Sequence, residues 1–221
     1  MCGRFTLLAS KDQIKTQFDV SELPEFLPQY NIAPSLPVLS IVAVENHNHA
    51  VLFRWGLVPY WAKDKKIGNS LTNARAETVN SKPAFRNAFK SRRCLMVMSG
   101  FFEWRQEGAN RQPYYIKRQD DSLLAIAAIW ESWQSDDGVE TIQSCCLITT
   151  EANKTLNPIH HRMPVVLDEH AQTIWLNPNT SVNEALDLLI PYQATKLEVF
   201  PVSTKVNSSR YLGSDTIKPL K

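Results

Sequence analysis

Apolar and polar positions alternate along this chain in short stretches whose period switches between that of a helix and that of a strand. Residues 10–18 carry Ile14 and Phe18 four apart behind Ser10, a good N-cap, and predict a short helix. Pro24, Pro28, Pro34 and Pro37 then punctuate what reads as an extended loop. Residues 38–44 and 50–57 read as strands around a polar hairpin tip at 45–49, where His47 and His49 belong to a surface turn. Residues 72–78 are too polar for a core strand. Residues 83–90 predict a helix with Phe85 and Phe89 on one face and Arg86 beside them. A buried strand follows at 94–98, broken by Ser99-Gly100. In the resumed strand 101–105, Phe102 and Trp104 fall on one face, and Glu103 falls on the other with Phe101 and Arg105. A turn is expected at 107–112, strands at 114–118, 123–130 and 141–149, and a short helix at 151–156. A polar knuckle then leads into a strand across 159–167. Helices at 170–176 and 182–189, a strand at 197–202 and a polar tail complete the chain.

Eight or nine strands joined by hairpin-length turns, with four or five short helices, predict an α+β fold. Its core is a mostly antiparallel sheet closed in a barrel-like manner. The 221 residues fit one compact domain spanning 1–221. A chain of this size buries about 70% of its unfolded surface without staples. Composition is that of a globular protein: 43% hydrophobic and 21% charged, with 13 prolines against 7 glycines, so many turns are set by proline. The formal net charge of +2 permits a local basic groove without demanding a polyanion. Lysines and arginines clump at 63–66, 90–93 and 117–118. Each clump is an ordinary solvated surface unless something else marks it.

Cys94, Cys145 and Cys146 lie in apolar runs and form no CxxC pair, which predicts reduced, buried thiols and a reducing compartment. No signal peptide is recognisable, and the longest apolar run, 123–130, is far short of a membrane span. A cytoplasmic protein is expected. Gly-x-Ser-x-Gly, HExxH, zinc-type Cys/His spacing and glycine-rich phosphate loops are absent from the sequence. Neither metal nor cofactor is expected.

The chemically distinctive stretch is Met1-Cys2-Gly3-Arg4-Phe5. Without Met1, Cys2 presents an α-amine of pKa about 8 and a thiol of pKa about 8.5. The two can close a five-membered ring on one aldehyde carbon. The alternative is an ordinary chain end with Met1 retained. Asn73, Arg75, Glu103 and His160 stand at element ends. A carboxylate and an imidazole are what amine, thiol and carbonyl chemistry needs. Glu103 on an apolar strand face is either paired or functional. Tyr60 and Trp61 sit in a proline turn beside lysines, suited to base stacking or to packing on the body of the protein.

Seven segments in order resemble the SOS response-associated peptidase (SRAP) family: Met1-Cys2-Gly3-Arg4-Phe5, Tyr30-Asn31-Ile32-Ala33-Pro34, Trp55-Gly56-Leu57-Val58-Pro59, Asn73-Ala74-Arg75-Ala76-Glu77-Thr78, Gly100-Phe101-Phe102-Glu103-Trp104, Ile159-His160-His161-Arg162-Met163-Pro164 and Phe200-Pro201-Val202-Ser203. The resemblance implies a compact β-rich domain with a positively charged channel, acting as a monomer and nucleoid-associated when bound to DNA. It implies autocatalytic loss of Met1, binding of single-stranded DNA or single-strand/double-strand junctions that contain an abasic site, and a thiazolidine crosslink between Cys2 and the sugar aldehyde. That crosslink shields the lesion from strand scission and error-prone bypass.

By the same resemblance Asn73 orients Cys2 and the sugar oxygen, Glu103 assists ring opening and proton transfer, and His160 acts as acid and base, including in lyase-like reversal. Arg4, Arg75, Arg86 and Thr149 hold phosphates, and Trp61 and Trp104 pack on bases. His161 departs from the usual Asp or Asn of the knuckle, and the Tyr60-Trp61 turn has one Trp where relatives carry two. Two other readings compete. One is an N-terminal-nucleophile hydrolase of the glutamine amidotransferase type, with Cys2 attacking an amide. The other is a non-covalent DNA binder in which Cys2 is incidental.

Overall fold

A computed structural model describes residues 2–45 and 47–220; Met1, Asn46 and Lys221 lie outside them. The elements run in order β1 (Phe5–Leu7), α1 (Lys11–Phe18), β2 (Gln29–Ile32), β3 (Pro37–Val44), β4 (His47–Trp55), β5 (Asn73–Arg75), α2 (Arg86–Ser91), β6 (Arg93–Met98), β7 (Gly100–Glu107), β8 (Asn110–Arg118), β9 (Leu124–Gln134), β10 (Thr141–Glu151), β11 (Arg162–Pro164), β12 (Val166–Leu167), α3 (Glu169–Leu176), α4 (Val182–Asp187) and β13 (Leu197–Pro201).

Strands β10, β4, β3, β6 and β9 pair in that order, and β9 pairs back onto β10, so five strands close a barrel. Every pairing in the ring is antiparallel except β10 with β4. The α+β, mostly antiparallel, barrel-like fold read from the sequence is therefore present. β6 is buried at all six positions because both of its faces are covered. One faces the barrel interior. Against the other pack α2 and α3, where Trp175 donates its indole N–H to the Cys94 carbonyl at 2.9 Å and Phe89 and Trp175 lie 5.8 Å apart.

A second sheet, ordered β13-β8-β7-β1-β2, covers another side of the barrel. Phe5 meets Trp55 edge-on at 5.2 Å across the two layers. The period of two in β7 sorts its side chains as anticipated. Phe101 joins the barrel core, while Phe102 packs with Tyr115, Val202 and Val206 on the outer face. Gly100 is required by close approach: a Cβ there would lie 2.4 Å from the Tyr115 hydroxyl.

Several boundaries differ from expectation. The proline-rich loop contains β2, recruited by pairing with β1. The polar tip is narrower, since His47 and His49 already belong to β4; Asn46 falls outside the described residues. Residues 73–75, too polar on paper, form β5 because their backbone pairs with β10. The 107–112 turn shrinks to Gly108-Ala109, with Gly108 at φ 58°. Helix 83–90 starts only at Arg86. Residues 151–156 form no helix. The Asn153 side chain accepts from the Thr155 and Leu156 amides at 3.1 and 3.0 Å, and this turn chemistry displaces helical bonding.

Candidate active site

The second sheet places the start of the chain beside β7. Phe5 opposes Phe101, Thr6 opposes Gly100, and the Phe102 amide donates to the Arg4 carbonyl at 3.0 Å. Cys2 is 1% exposed, and its thiol lies 3.8 Å from the Arg4 carbonyl oxygen. Burial holds that thiol well above its ordinary pKa, and the nearby Glu103 charge adds to the rise. Glu103 shares the inward face of β7 with Phe101 and is 3% exposed. Burial pushes its carboxyl up to about 7. The carboxylic acid and the carboxylate are then both populated near neutral pH.

His160, in the knuckle before β11, places Nδ1 4.0 Å from Glu103 Oε1. Nδ1 accepts the Arg162 amide N–H at 3.0 Å. Burial lowers the His160 pKa, which favours a neutral imidazole. His161 is exposed and stacks on the His160 ring at 4.5 Å. Of the two histidines it is His160 that faces Glu103.

The end of β10 supplies the other wall. β5 runs parallel beside it, Leu147 opposite Asn73 and Thr149 opposite Arg75, and β11 pairs with residues 149–151. Asn73 donates to the Thr72 hydroxyl at 2.9 Å, but its Oδ1 is buried with no partner among the described residues. A buried acceptor of this kind marks a place for a donor. Arg162 is 7% exposed and locks the wall together. Its guanidinium donates to both Glu77 carboxylate oxygens at 2.6 and 3.0 Å and to the Thr149 carbonyl at 2.6 Å. That hydrogen bond holds the Glu77 carboxyl below the usual range. The Arg75 charge reaches both Glu77 and His161.

The remaining predicted contacts separate into groups. Gly3, Arg4, Trp104, Arg111 and Asn207 line a cleft of about 340 Å³ beside the N-terminal strand. Arg4 is partly buried there and already donates to Asn31 and to the Val206 and Asn207 carbonyls. Trp104 donates its indole N–H to Asn207 Oδ1 at 2.7 Å. Trp61 is 48% exposed, and Arg86 is exposed at the start of α2. A 3.3 Å hydrogen bond from Asn87 to the Tyr60 hydroxyl puts the aromatic turn beside that helix. Thr149 differs from expectation: it is fully buried and its hydroxyl donates to the Ala74 carbonyl at 3.3 Å. It builds the wall and offers no surface to a phosphate. Among the described residues no three His, Cys, Asp or Glu side chains converge as metal ligands, and no helix is long and apolar enough to cross a membrane.

A family model described as SOS response associated peptidase (SRAP) matches residues 1–209. The chain belongs to the SRAP family. It is 42% identical over 215 residues to the abasic site processing protein YoaM of Bacillus subtilis, covering 95% of this chain and 94% of that one. It is 32% identical over 255 residues to the abasic site processing protein HMCES of Xenopus tropicalis, covering 95% of this chain and 76% of the relative. A crystal structure of a Bacteroides thetaiotaomicron protein superposes with a TM-score of 0.85 at 29% identity and full coverage of both chains.

The sequence alone does not single out Arg162 and Glu77, which both stand in SRAP segments. Each stands in a segment quoted for the resemblance, and their opposite charges in two polar stretches were the available signal. Asn31, in a third segment, is fully buried and drew no attention because asparagine in a proline-rich stretch reads as turn chemistry.

Proposed function

We propose that this SRAP protein processes abasic sites in single-stranded DNA or at single-strand/double-strand junctions, capturing the open-chain sugar aldehyde on Cys2 as a thiazolidine. The relatives named above support the lesion class. The observation that carries the chemistry is the meeting of three groups where the chain begins: the Cys2 thiol, a Glu103 carboxyl titrating near neutrality and the neutral His160 imidazole. One domain spans the chain and works as a cytoplasmic monomer.

Met1 must leave first, because a peptide nitrogen has no free lone pair for attack. Water adds across the Met1–Cys2 bond, and Glu103 and His160 shuttle the protons; Met1 itself lies outside the described residues. The freed amine attacks the aldehyde carbon to give a carbinolamine, and Glu103 in its acid form protonates the departing hydroxyl. Loss of water leaves an imine. The Cys2 thiol gives its proton to the Glu103–His160 pair, sulfur adds to the imine carbon, and the nitrogen takes up a proton. Asn73 orients the amine through Oδ1 and the sugar oxygen through its second Nδ2 N–H. Arg75, Arg86 and the free edge of Arg4 engage phosphates, and Trp104 and Trp61 offer faces to bases.

The test is to mix the protein with a single-stranded oligonucleotide bearing one abasic site, denature, and weigh the product. The expected mass is protein without Met1, plus DNA, minus one water. Intact DNA gives no adduct, and neither does an extension fused ahead of Cys2. A stable adduct that retains Met1 would falsify the reading. Ammonia released from glutamine without DNA supports the amidotransferase instead.

A further inference from the structure

Asn31 sits in the middle of β2, with no surface exposed, and every polar atom of its side chain is used. Oδ1 accepts from Arg4 Nη1 at 3.0 Å. Nδ2 donates to the Ser208 and Tyr211 carbonyls at 2.9 and 2.8 Å, with a longer 3.4 Å approach to the Val206 carbonyl. Arg4 Nη1 donates to that same Val206 carbonyl at 3.0 Å, and Nη2 to Asn207 at 3.4 Å. Residues 206–211 are thus held from one side by Asn31 and Arg4. From the other side Trp104 holds them through Asn207 Oδ1. Arg4 is two residues from Cys2, and Trp104 is next to Glu103. The C-terminal segment therefore braces the two strands that bring thiol and carboxyl together, and Asn31 is where its hydrogen bonds converge.

We infer that Asn31 is a positioning residue, setting the reach of Cys2 toward Glu103 by clamping the 206–211 segment onto Arg4. The inference rests on the reading of Cys2 as the capturing residue. Asn31 is fully buried, and of the proposed phosphate contacts only Arg4 leans on it, so its loss weakens encounter little and slows mainly the step that follows. A shift of about 1 Å between reacting groups lowers rates by about 100-fold. Most of the phosphate contacts that hold DNA lie elsewhere.

The experiment compares Asn31→Ala and Asn31→Asp with the native chain in two measurements. The first is the single-turnover rate of adduct formation with saturating abasic oligonucleotide. The second is equilibrium affinity for that oligonucleotide in a Cys2→Ala background. Asn31→Asp keeps the Arg4 contact but replaces the Nδ2 amide, with both of its N–H donors, by one oxygen facing carbonyls, so it breaks the clamp without leaving a cavity. The expected result is a rate about 10- to 100-fold lower with affinity changed less than about 3-fold. Hydrogen exchange without DNA should quicken at residues 2–6 and 206–211 alone. Should Asn31→Ala not fold, Asn207→Ala, exposed and free of cavity cost, tests the brace from the Trp104 side and should slow capture several-fold. A native rate in the folded Asn31→Asp protein, or a rate that falls only in step with affinity, overturns the inference. A native chain that forms no adduct overturns the proposed function instead, and the exchange measurement still judges the clamp.

Discussion

All four cysteines are hidden from solvent, yet they lie in two chemically different interiors. Cys94, Cys145 and Cys146 are buried in the barrel strands β6 and β10. Burial raises each thiol pKa, for Cys145 to about 12. Their electrostatic neighbours are one another and the Ser40 hydroxyl, none of which takes a proton at neutral pH. Cys2 is as buried and its thiol is also raised, but it lies beside a carboxyl poised near 7 and, through it, an imidazole. Depth alone keeps a thiol protonated; on the proposed chemistry, the proton acceptor beside Cys2 makes that thiol conditionally reactive. On the same chemistry, the Cys2 thiol starts protonated, the amine is the first nucleophile and sulfur is left for ring closure.

The largest effect separates the two interiors directly. Cys2→Ala should abolish the denaturation-resistant adduct on a denaturing gel. Cys146→Ala should leave the adduct rate within about 3-fold and cost about 1–2 kcal/mol in thermal unfolding, as expected for a small core cavity. Next, Glu103→Gln should slow capture by about 100-fold. The wild-type rate should peak near pH 7, where acid and carboxylate are both populated, and the variant should lose that maximum.

Stability gives the same carboxyl a second readout. Its folded pKa, about 7, lies above its ordinary 4.5. The stability it contributes is full below 4.5 and is lost as pH rises to 7. Glu103→Gln should therefore gain in melting temperature over wild type at pH about 8 relative to pH about 4. Failure of that crossover would place the site's proton acceptor elsewhere. Smaller still, Arg162→Ala should destabilise by about 2–3 kcal/mol by stripping Glu77 and the Thr149 carbonyl of their donor. The Glu77 carboxyl is lowered, so the native pair's contribution is present above the ordinary value of 4.5 and fades as pH falls below it. Smallest, Arg86→Ala should weaken DNA binding several-fold, alike for all sequences, and flatten the salt dependence by about one unit of slope.

What the sequence disclosed follows the same division. The barrel strands were legible because β6 and β9 are apolar runs covered on both faces, and β7 because one residue in two faces the core. Glu103 stood out for the same reason, as a carboxylate on an apolar face. β5 and β2 were not legible, since both are short polar strands whose pairing is decided by partners tens of residues away. Thr149 looked like a phosphate ligand because a motif names a residue type and says nothing of which way it faces. The clamp at Asn31 was invisible for a simpler cause: three of its acceptors are backbone carbonyls, and main-chain oxygens leave no trace in a residue string.

The contact from Arg4 to Val206 spans 202 residues, and that from Thr6 to Gly100 spans 94. The seat of Cys2 is thus built from residues far apart in the chain and forms only when they come together. A chain cut before residue 206 carries Cys2 but lacks the segment that seats it. On the proposed chemistry, such a chain keeps its methionine, and its masked amine cannot scavenge stray aldehydes.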